Sequence, residues 1–263
     1  MEEIEPVASP ARTSSGDLTM TRTLGLKVGR VVIDPGHGGK DTGSIGPSGL
    51  VEKELVLDVA LRLRRLLRER LGTDVIMTRG DDRFVPLEER TAIANKNNAD
   101  LFVSIHANWW HRRDVSGVET YVLDFATNAA EREIASRENA SAQRTIRELE
   151  GLLKQIAMED YNRESRELAQ IVQDQLYLNL KRFRPGHHNR GVKQAPFIVL
   201  IGSNMPSILT EIGFISNPED ETFFRTEESR EHVAEALYKG IEAYFRTLGS
   251  APDRSRAAAA SSP

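Results

Sequence analysis

The chain has 263 residues, enough for one medium α/β domain with a sizeable insertion. Apolar residues make up 39% and charged residues 28%, which suits a soluble protein with a real core, and the net charge of -4 argues against nucleic acid as the main partner. There is no cysteine, which excludes disulfides, Fe–S clusters, Cys-type zinc sites and thiol catalysis.

No run of about 18 apolar residues is present, so no membrane span is expected. Met1 to Asp17 carries Glu2, Glu3 and Glu5 and has no apolar h-region, so it does not read as a signal peptide. Residues 1–27 read as a flexible lead-in, 28–249 as the domain, and 250–263 as a flexible tail.

Arg30–Ile33 is the first expected strand, leading into Asp34-Pro35-Gly36-His37-Gly38-Gly39. After this glycine-rich loop a helix begins near Glu52, with Leu55, Val59, Leu63 and Leu66 at helical spacing and Gly72 as its stop. Asp74–Met77 is a second strand. Pro86 opens a helix to about Asn95. Leu101–Ile105 is a third strand closing on His106, and Gly117–Leu123 a fourth. Alternating strands and helices, with nearly continuous apolar strands, predict an α/β sheet covered on both faces.

Residues 124–183 read as a helical insertion: Ala129–Ala142 as one helix and Thr145–Phe183 as one or two more. The plain reading packs it on the sheet; the functional reading makes it a lid or regulatory arm. Residues 184–191 read as a loop. Phe197–Leu200 and Ser207–Leu209 read as strands, the second ending at Thr210-Glu211, and 229–247 as a closing helix.

His37, His106 and Glu211 all fall at the ends of predicted strands. In an open α/β sheet the carboxyl ends of the strands converge on one crevice. A lone histidine beside a strand is usually structural, but two histidines and a glutamate at matching ends favour a shared site. A catalytic zinc takes three protein ligands and leaves one position for water. His37 and His106 supply two. Glu52 and Glu54 compete for the third: each stands where a helix N-terminus favours a carboxylate, and each also reads as a plain helix-start acid. Glu211 then has the role of general base. His187 and His188 read as a solvated loop pair, and His232 as structural. Trp109-Trp110, before His111, would either contact sugar or bury under the insertion.

Several stretches in register resemble one family: Asp34-Pro35-Gly36-His37-Gly38-Gly39, Gly49-Leu50-Val51-Glu52-Lys53, Thr78-Arg79, Ser104-Ile105-His106-Ala107-Asn108, Asn189-Arg190-Gly191-Val192-Lys193, and Thr210-Glu211 through Asn217-Pro218. Over roughly residues 29–247 the chain resembles the zinc-dependent N-acetylmuramoyl-L-alanine amidases, type 3 catalytic domain. The resemblance implies a single domain with a mixed, mostly parallel sheet and helices on both faces. It implies cleavage of the amide between N-acetylmuramic acid and L-alanine in peptidoglycan, for cell-wall remodelling or daughter-cell separation. Zn2+ would be held by His37, Glu52 and His106, with Glu211 catalytic.

Arg137-Glu138-Asn139-Ala140 resembles the inhibitory arm of the division-associated members, which makes Glu138 a regulatory metal ligand. Such members are released by LytM-like activator proteins and work in the periplasm or cell envelope. Asn108 and Arg190, in matching motifs, are candidate substrate contacts. The competing readings are a zinc peptidase or amidohydrolase acting on another amide, and a catalytically silent wall-binding module.

Overall fold

The computed structural model describes residues 12–14, 16, 19, 22, 28–125, 128–142 and 160–249. Six strands form one sheet: β1 (Arg30–Pro35), β2 (Asp74–Met77), β3 (Leu101–Asn108), β4 (Val118–Leu123), β5 (Asn189–Ala195) and β6 (Ser207–Phe214). Their order is β2-β1-β3-β6-β4-β5. The first four in that order run parallel, and β4 and β5 run parallel to each other but antiparallel to β6. The expected mixed, mostly parallel α/β sheet is what forms.

Among the described residues six α-helices accompany it: α1 (Glu52–Leu71), α2 (Leu87–Lys96), α3 (Ala129–Glu138), α4 (Asp160–Leu180), α5 (Pro218–Phe224) and α6 (Glu227–Thr247). Side chains alternate across a strand, and the two faces bury different clusters. Val31, Ile33, Val103, Ile105 and Ile212 pack against α1, α4 and α6. Val32, Phe102, Tyr121 and Leu209 pack with α2, α3 and the 3-10 turn Ile198–Leu200. The same alternation puts Asp34, Ser104, His106, Glu119 and Glu211 on the second face. That face carries the candidate site residues.

Local sequence explains the element ends. Gly72 stops α1 at φ 63°, its N–H reaching Leu67 O. Asn217 caps α5, with Pro218 in the first turn. Thr226 caps α6 by accepting from Ser229 N–H.

Several expectations need correction. Residues 184–191 are not all loop, because β5 starts at Asn189 and pairs with β4. Phe197–Leu200 is no strand: Pro196, which has no N–H to give a ladder, follows β5, and Ile198–Leu200 turns as a 3-10 helix. Helix α5 lies where none was expected. β6 runs on to Phe214, so Glu211 lies within the strand.

The segment read as one helical insertion divides in two. Leu168, Val172 and Leu176 of α4 belong to the main core beside α6, so α4 is a covering helix of the sheet. Of the segment's two described helices, α3 is the one that lies over the second face; residues 143–159 are outside the described residues, as is the tail. Part of the expected loose lead-in is docked. Arg22 is buried, with its Nε 2.8 Å from Glu164 Oε1 of α4, and Ser14 N–H donates to Glu167 Oε2 at 3.0 Å.

Candidate metal and hydrolytic centre

β1 ends at Pro35, and the chain turns sharply at His37, whose φ is 59°. A non-glycine residue in this region is strained and persists only where its surroundings fix it. Arg90 supplies part of that fixing: its Nη1 donates to Pro35 O and its Nη2 to His37 O, both at 2.8 Å. Asp34, fully buried, pairs with Arg90 Nη1 at 2.9 Å and accepts from Thr78 Oγ1 and Ser104 Oγ. Burial opposes ionisation of Asp34, but Arg90 and the two hydroxyls outweigh it and hold its pKa below the usual carboxylate value.

The imidazole of His37 meets three other groups. Nε2 lies 3.1 Å from Glu52 Oε1 and 3.3 Å from Glu138 Oε2. His106 Nδ1 lies 3.3 Å from Glu52 Oε1 and 3.1 Å from Glu138 Oε2. One ligand atom from each of these four side chains lies within 4.8 Å of all the others. His37 Nε2, His106 Nδ1 and Glu138 Oε2 are buried without a hydrogen bond among the described residues, despite these short approaches. Lone pairs aimed at one point rather than at one another are what a metal site requires.

The surrounding contacts orient the cluster. Asp41 Oδ1 pairs with His37 Nδ1 at 3.1 Å, which turns Nε2 inward. Glu52 Oε1 accepts from Ala107 N–H at 2.9 Å and Oε2 from Ser44 N–H at 2.8 Å. Two glycines leave the room. A Cβ at Gly36 would stand 2.4 Å from the His106 ring, and one at Gly43 would stand 2.6 Å from His37 and 2.7 Å from Glu52.

Charge balance fits a divalent cation. Burial works against charge on all four groups. Even so, Glu52 raises His37 well above its ordinary pKa, and Glu138 and Glu52 raise His106 to about 9. The imidazoles in turn hold Glu52 well below the usual carboxylate range and Glu138 at about 2. Two imidazolium protons and one dication carry the same charge, so a dication can replace them without leaving net charge buried.

Glu211 is the register partner of His106 across β3 and β6. It is fully buried, and neither carboxylate oxygen has a hydrogen bond among the described residues. Burial first, then the charge of Glu138, raise its pKa well above the usual value.

Glu119 of β4 stands opposite Glu211 and is fully partnered: Lys193 Nζ lies 2.8 Å from Oε1, and Tyr121 OH donates to Oε2 at 2.6 Å. Asn108 Nδ2 also donates to Glu119 Oε2, at 3.4 Å, while Arg190 Nε donates to Ser116 O at 2.8 Å and lies 3.8 Å from Glu119 Oε1. These two candidate substrate contacts are therefore turned onto Glu119 in this state.

Helix α3 closes the centre. Ile134 and Ala135 join the second cluster, and Asn139 bonds Pro196 O and Ile198 N–H. Arg137 lies over the Trp109 ring, 5.6 Å from its centroid, and donates to Trp109 O. A cavity of about 290 Å3 remains beside the cluster, lined by residues including His37, Ile45, Trp109, Arg137 and Glu138. Trp110 packs instead against the second cluster. His187 is buried 3.6 Å from Asp220, contrary to the solvated loop expected, and His232 stacks on Phe183.

Of the residues the sequence singles out, His37, Glu52, His106 and Glu138 form this cluster, with Glu211 in register beside His106, and Glu54 is outside it. Asp41, Arg90, Glu119 and Lys193 were missed. Asp41 had a faint signal, an acid four residues after a candidate ligand. The others act through contacts distant in sequence.

The sequence profile described as N-acetylmuramoyl-L-alanine amidase matches residues 31–243. The N-acetylmuramoyl-L-alanine amidase AmiA of Escherichia coli is 37% identical over 225 residues, which cover 82% of this chain and 75% of that one. The solved structure of AmiC2 of Nostoc punctiforme is 33% identical with a TM-score of 0.62, covering 82% of this chain and 97% of that one. The CwlD amidase of Clostridioides difficile, solved in complex with the GerS lipoprotein, is 27% identical with a TM-score of 0.62, over 82% of this chain and 98% of that one. The chain belongs to the N-acetylmuramoyl-L-alanine amidase family, hydrolases of the amide that joins N-acetylmuramic acid to L-alanine in peptidoglycan.

Proposed function

We propose that the chain performs this hydrolysis as a zinc enzyme held in check by its own helix α3. The observation that carries the reading is the convergence of buried, unbonded ligand atoms from His37, His106 and Glu138 around Glu52. His37, Glu52 and His106 would hold the ion, and Glu138 would take the fourth position. Two imidazoles and carboxylates suit zinc. When bound, zinc would lower the pKa of a water toward about 7 and polarise the scissile carbonyl.

The chain's own residues do the rest. Glu211 would take the proton of the attacking water and return it to the leaving nitrogen of L-alanine. Its burial and lack of partners support that role, because a general base works best with a pKa brought toward the working pH. Withdrawal of Glu138 would clear the fourth position and remove one cause of the raised Glu211 pKa. Asn108 and Arg190 would contact substrate in the open state by exchanging their bonds to Glu119 and Ser116.

An autoinhibited wall hydrolase fits use in cell-wall remodelling or daughter-cell separation, in the periplasm or cell envelope. A LytM-like activator is the partner class proposed to draw α3 away. A related amidase, CwlD, is solved in complex with a lipoprotein, so binding of a protein partner has precedent among relatives. No described helix is long and apolar enough to cross a membrane.

The test is digestion of purified peptidoglycan by the zinc-loaded chain carrying Glu138→Ala, with products read by mass spectrometry. Free stem peptides beginning at L-alanine, with intact glycan, are expected. Cleavage only within the stem would favour the peptidase reading, and no cleavage the silent module.

A further inference from the structure

Two of the three proposed zinc ligands come from one βα connection. His37 follows β1, Glu52 opens α1, and residues 38–51 between them form a glycine-rich loop. That loop is held by the bridges Gly38–Asp41 and Ile45–Val51, by main-chain bonds from Glu52 N–H to Ser44 O at 3.0 Å and Lys53 N–H to Thr42 O at 3.2 Å, and by Glu221, which accepts from Ser48 and Leu50 N–H.

One side chain spans the gap. Arg79, fully buried just after β2, donates from Nε to Pro35 O at 3.0 Å and from Nη1 to Asp81 O at 3.1 Å. Its Nη2 donates to Gly36 O at 2.6 Å and to Lys53 O at 2.9 Å. Gly36 immediately precedes His37, and Lys53 immediately follows Glu52. A single nitrogen thus bridges the main chain next to both ligands. Burial, and then neighbouring Arg90, bring the Arg79 pKa down to about 10, so it is still a cation at neutral pH and its donors stay in place. The division of labour with Arg90 is clear. Arg90 pairs with Asp34 and holds the exit of β1, whereas Arg79 reaches across to α1.

We propose that Arg79 is a positioning residue that sets the spacing between His37 and Glu52, and through it the affinity of the centre for zinc. This rests on the zinc reading above. A planar fork with several fixed donors can bridge two carbonyls, which a lysine ammonium does not reproduce in the same geometry.

The test uses the full chain with Arg79→Lys and Arg79→Met. Zinc affinity is read by competition with a chromophoric chelator, ligand geometry by the visible spectrum of the cobalt-loaded protein, and folding by the thermal midpoint of the metal-free protein. Both variants are expected to unfold cooperatively and to bind zinc about 10–100-fold more weakly, the usual loss when a group that orients a ligand is removed. The cobalt spectrum is expected to change.

Should Arg79→Met fail to fold, Arg79→Lys decides. Folded variants that bind zinc within threefold of the parent, with an unchanged spectrum, would overturn the proposal. So would loss of fold in both, which would make Arg79 a general prop of the sheet edge. A parent chain that binds no zinc would instead take down the metal reading, and this proposal with it.

Discussion

Glu119 and Glu211 stand directly opposite each other on β4 and β6, and their surroundings are opposite in kind. Glu119 is met by Lys193, Tyr121 and Asn108, while Glu211 has no hydrogen bond on either oxygen. The fold satisfies one buried carboxyl and leaves its neighbour bare beside a cluster of metal-ligating groups. An unsatisfied buried carboxyl is costly, so a position that keeps one is a position for chemistry.

Replacing Glu211 by Gln tests that directly. Hydrolysis is expected to fall by about 10²–10⁴-fold, the usual contribution of a general base, with zinc content unchanged. The sign of the stability change also follows. The folded pKa of Glu211 is raised, so its carboxyl destabilises the fold as pH rises above the unfolded value. Glu211→Gln is therefore expected to raise the thermal midpoint of the metal-free chain at pH 7. Retained activity would remove Glu211 from the mechanism.

Glu138→Ala opens the fourth position. Basal activity is expected to rise roughly 5–150-fold, the span of a coupling free energy of 1–3 kcal/mol. Steady-state release of soluble stem peptide measures it. An unchanged rate would make α3 ordinary packing over the sheet.

The cluster also predicts how pH acts on the metal-free chain. His106 is raised to about 9, so its contribution to stability is complete below about 6.5, the ordinary histidine pKa, and is lost as pH climbs through about 9. Glu138 is depressed to about 2, so its contribution is present above the ordinary carboxylate value and is lost as pH falls through about 2. The midpoint of the metal-free chain should therefore decline from pH 6.5 to 9. Zinc affinity should rise over the same interval as protons stop competing, with proton uptake by the buffer measurable in calorimetry. A flat affinity across that interval would contradict the charge balance.

Arg90→Leu breaks a buried pair and strands Asp34. The expected loss is about 3–5 kcal/mol, read by denaturant unfolding of the metal-free chain. Adding Asp34→Asn should recover part of it. A loss under 1 kcal/mol would show that the pair does not hold the β1 exit.

Much of this centre could be read in the sequence because strand ends carry their side chains to one edge. His37, His106 and Glu211 each sit beside a run of apolar residues that announces a strand. Spacing left Glu52 and Glu54 open; the first turn of α1 decides between them, since Glu52 is buried toward the sheet and carries both Ser44 and Ala107 amides. What stayed hidden depended on tertiary contact. The start of β5 is hidden because Asn189, Arg190 and Gly191 are poor strand formers, and pairing with β4 outweighs their propensity. The apolar stripe Leu168, Val172 and Leu176 announces a helix packed on the sheet, but that it shares the main core with α6 depends on tertiary contact. Arg22 appeared to belong to a loose lead-in because nothing nearby in sequence announces Glu164.

The most direct test of the account is a zinc-anomalous diffraction map of the metal-loaded chain. One zinc is expected, with His37 Nε2, His106 Nδ1, Glu52 and Glu138 all within about 2.0–2.2 Å, and with Glu211 nearby but unligated. Zinc bound elsewhere, or at this cluster with Glu138 turned away and the position open in the intact chain, would contradict it.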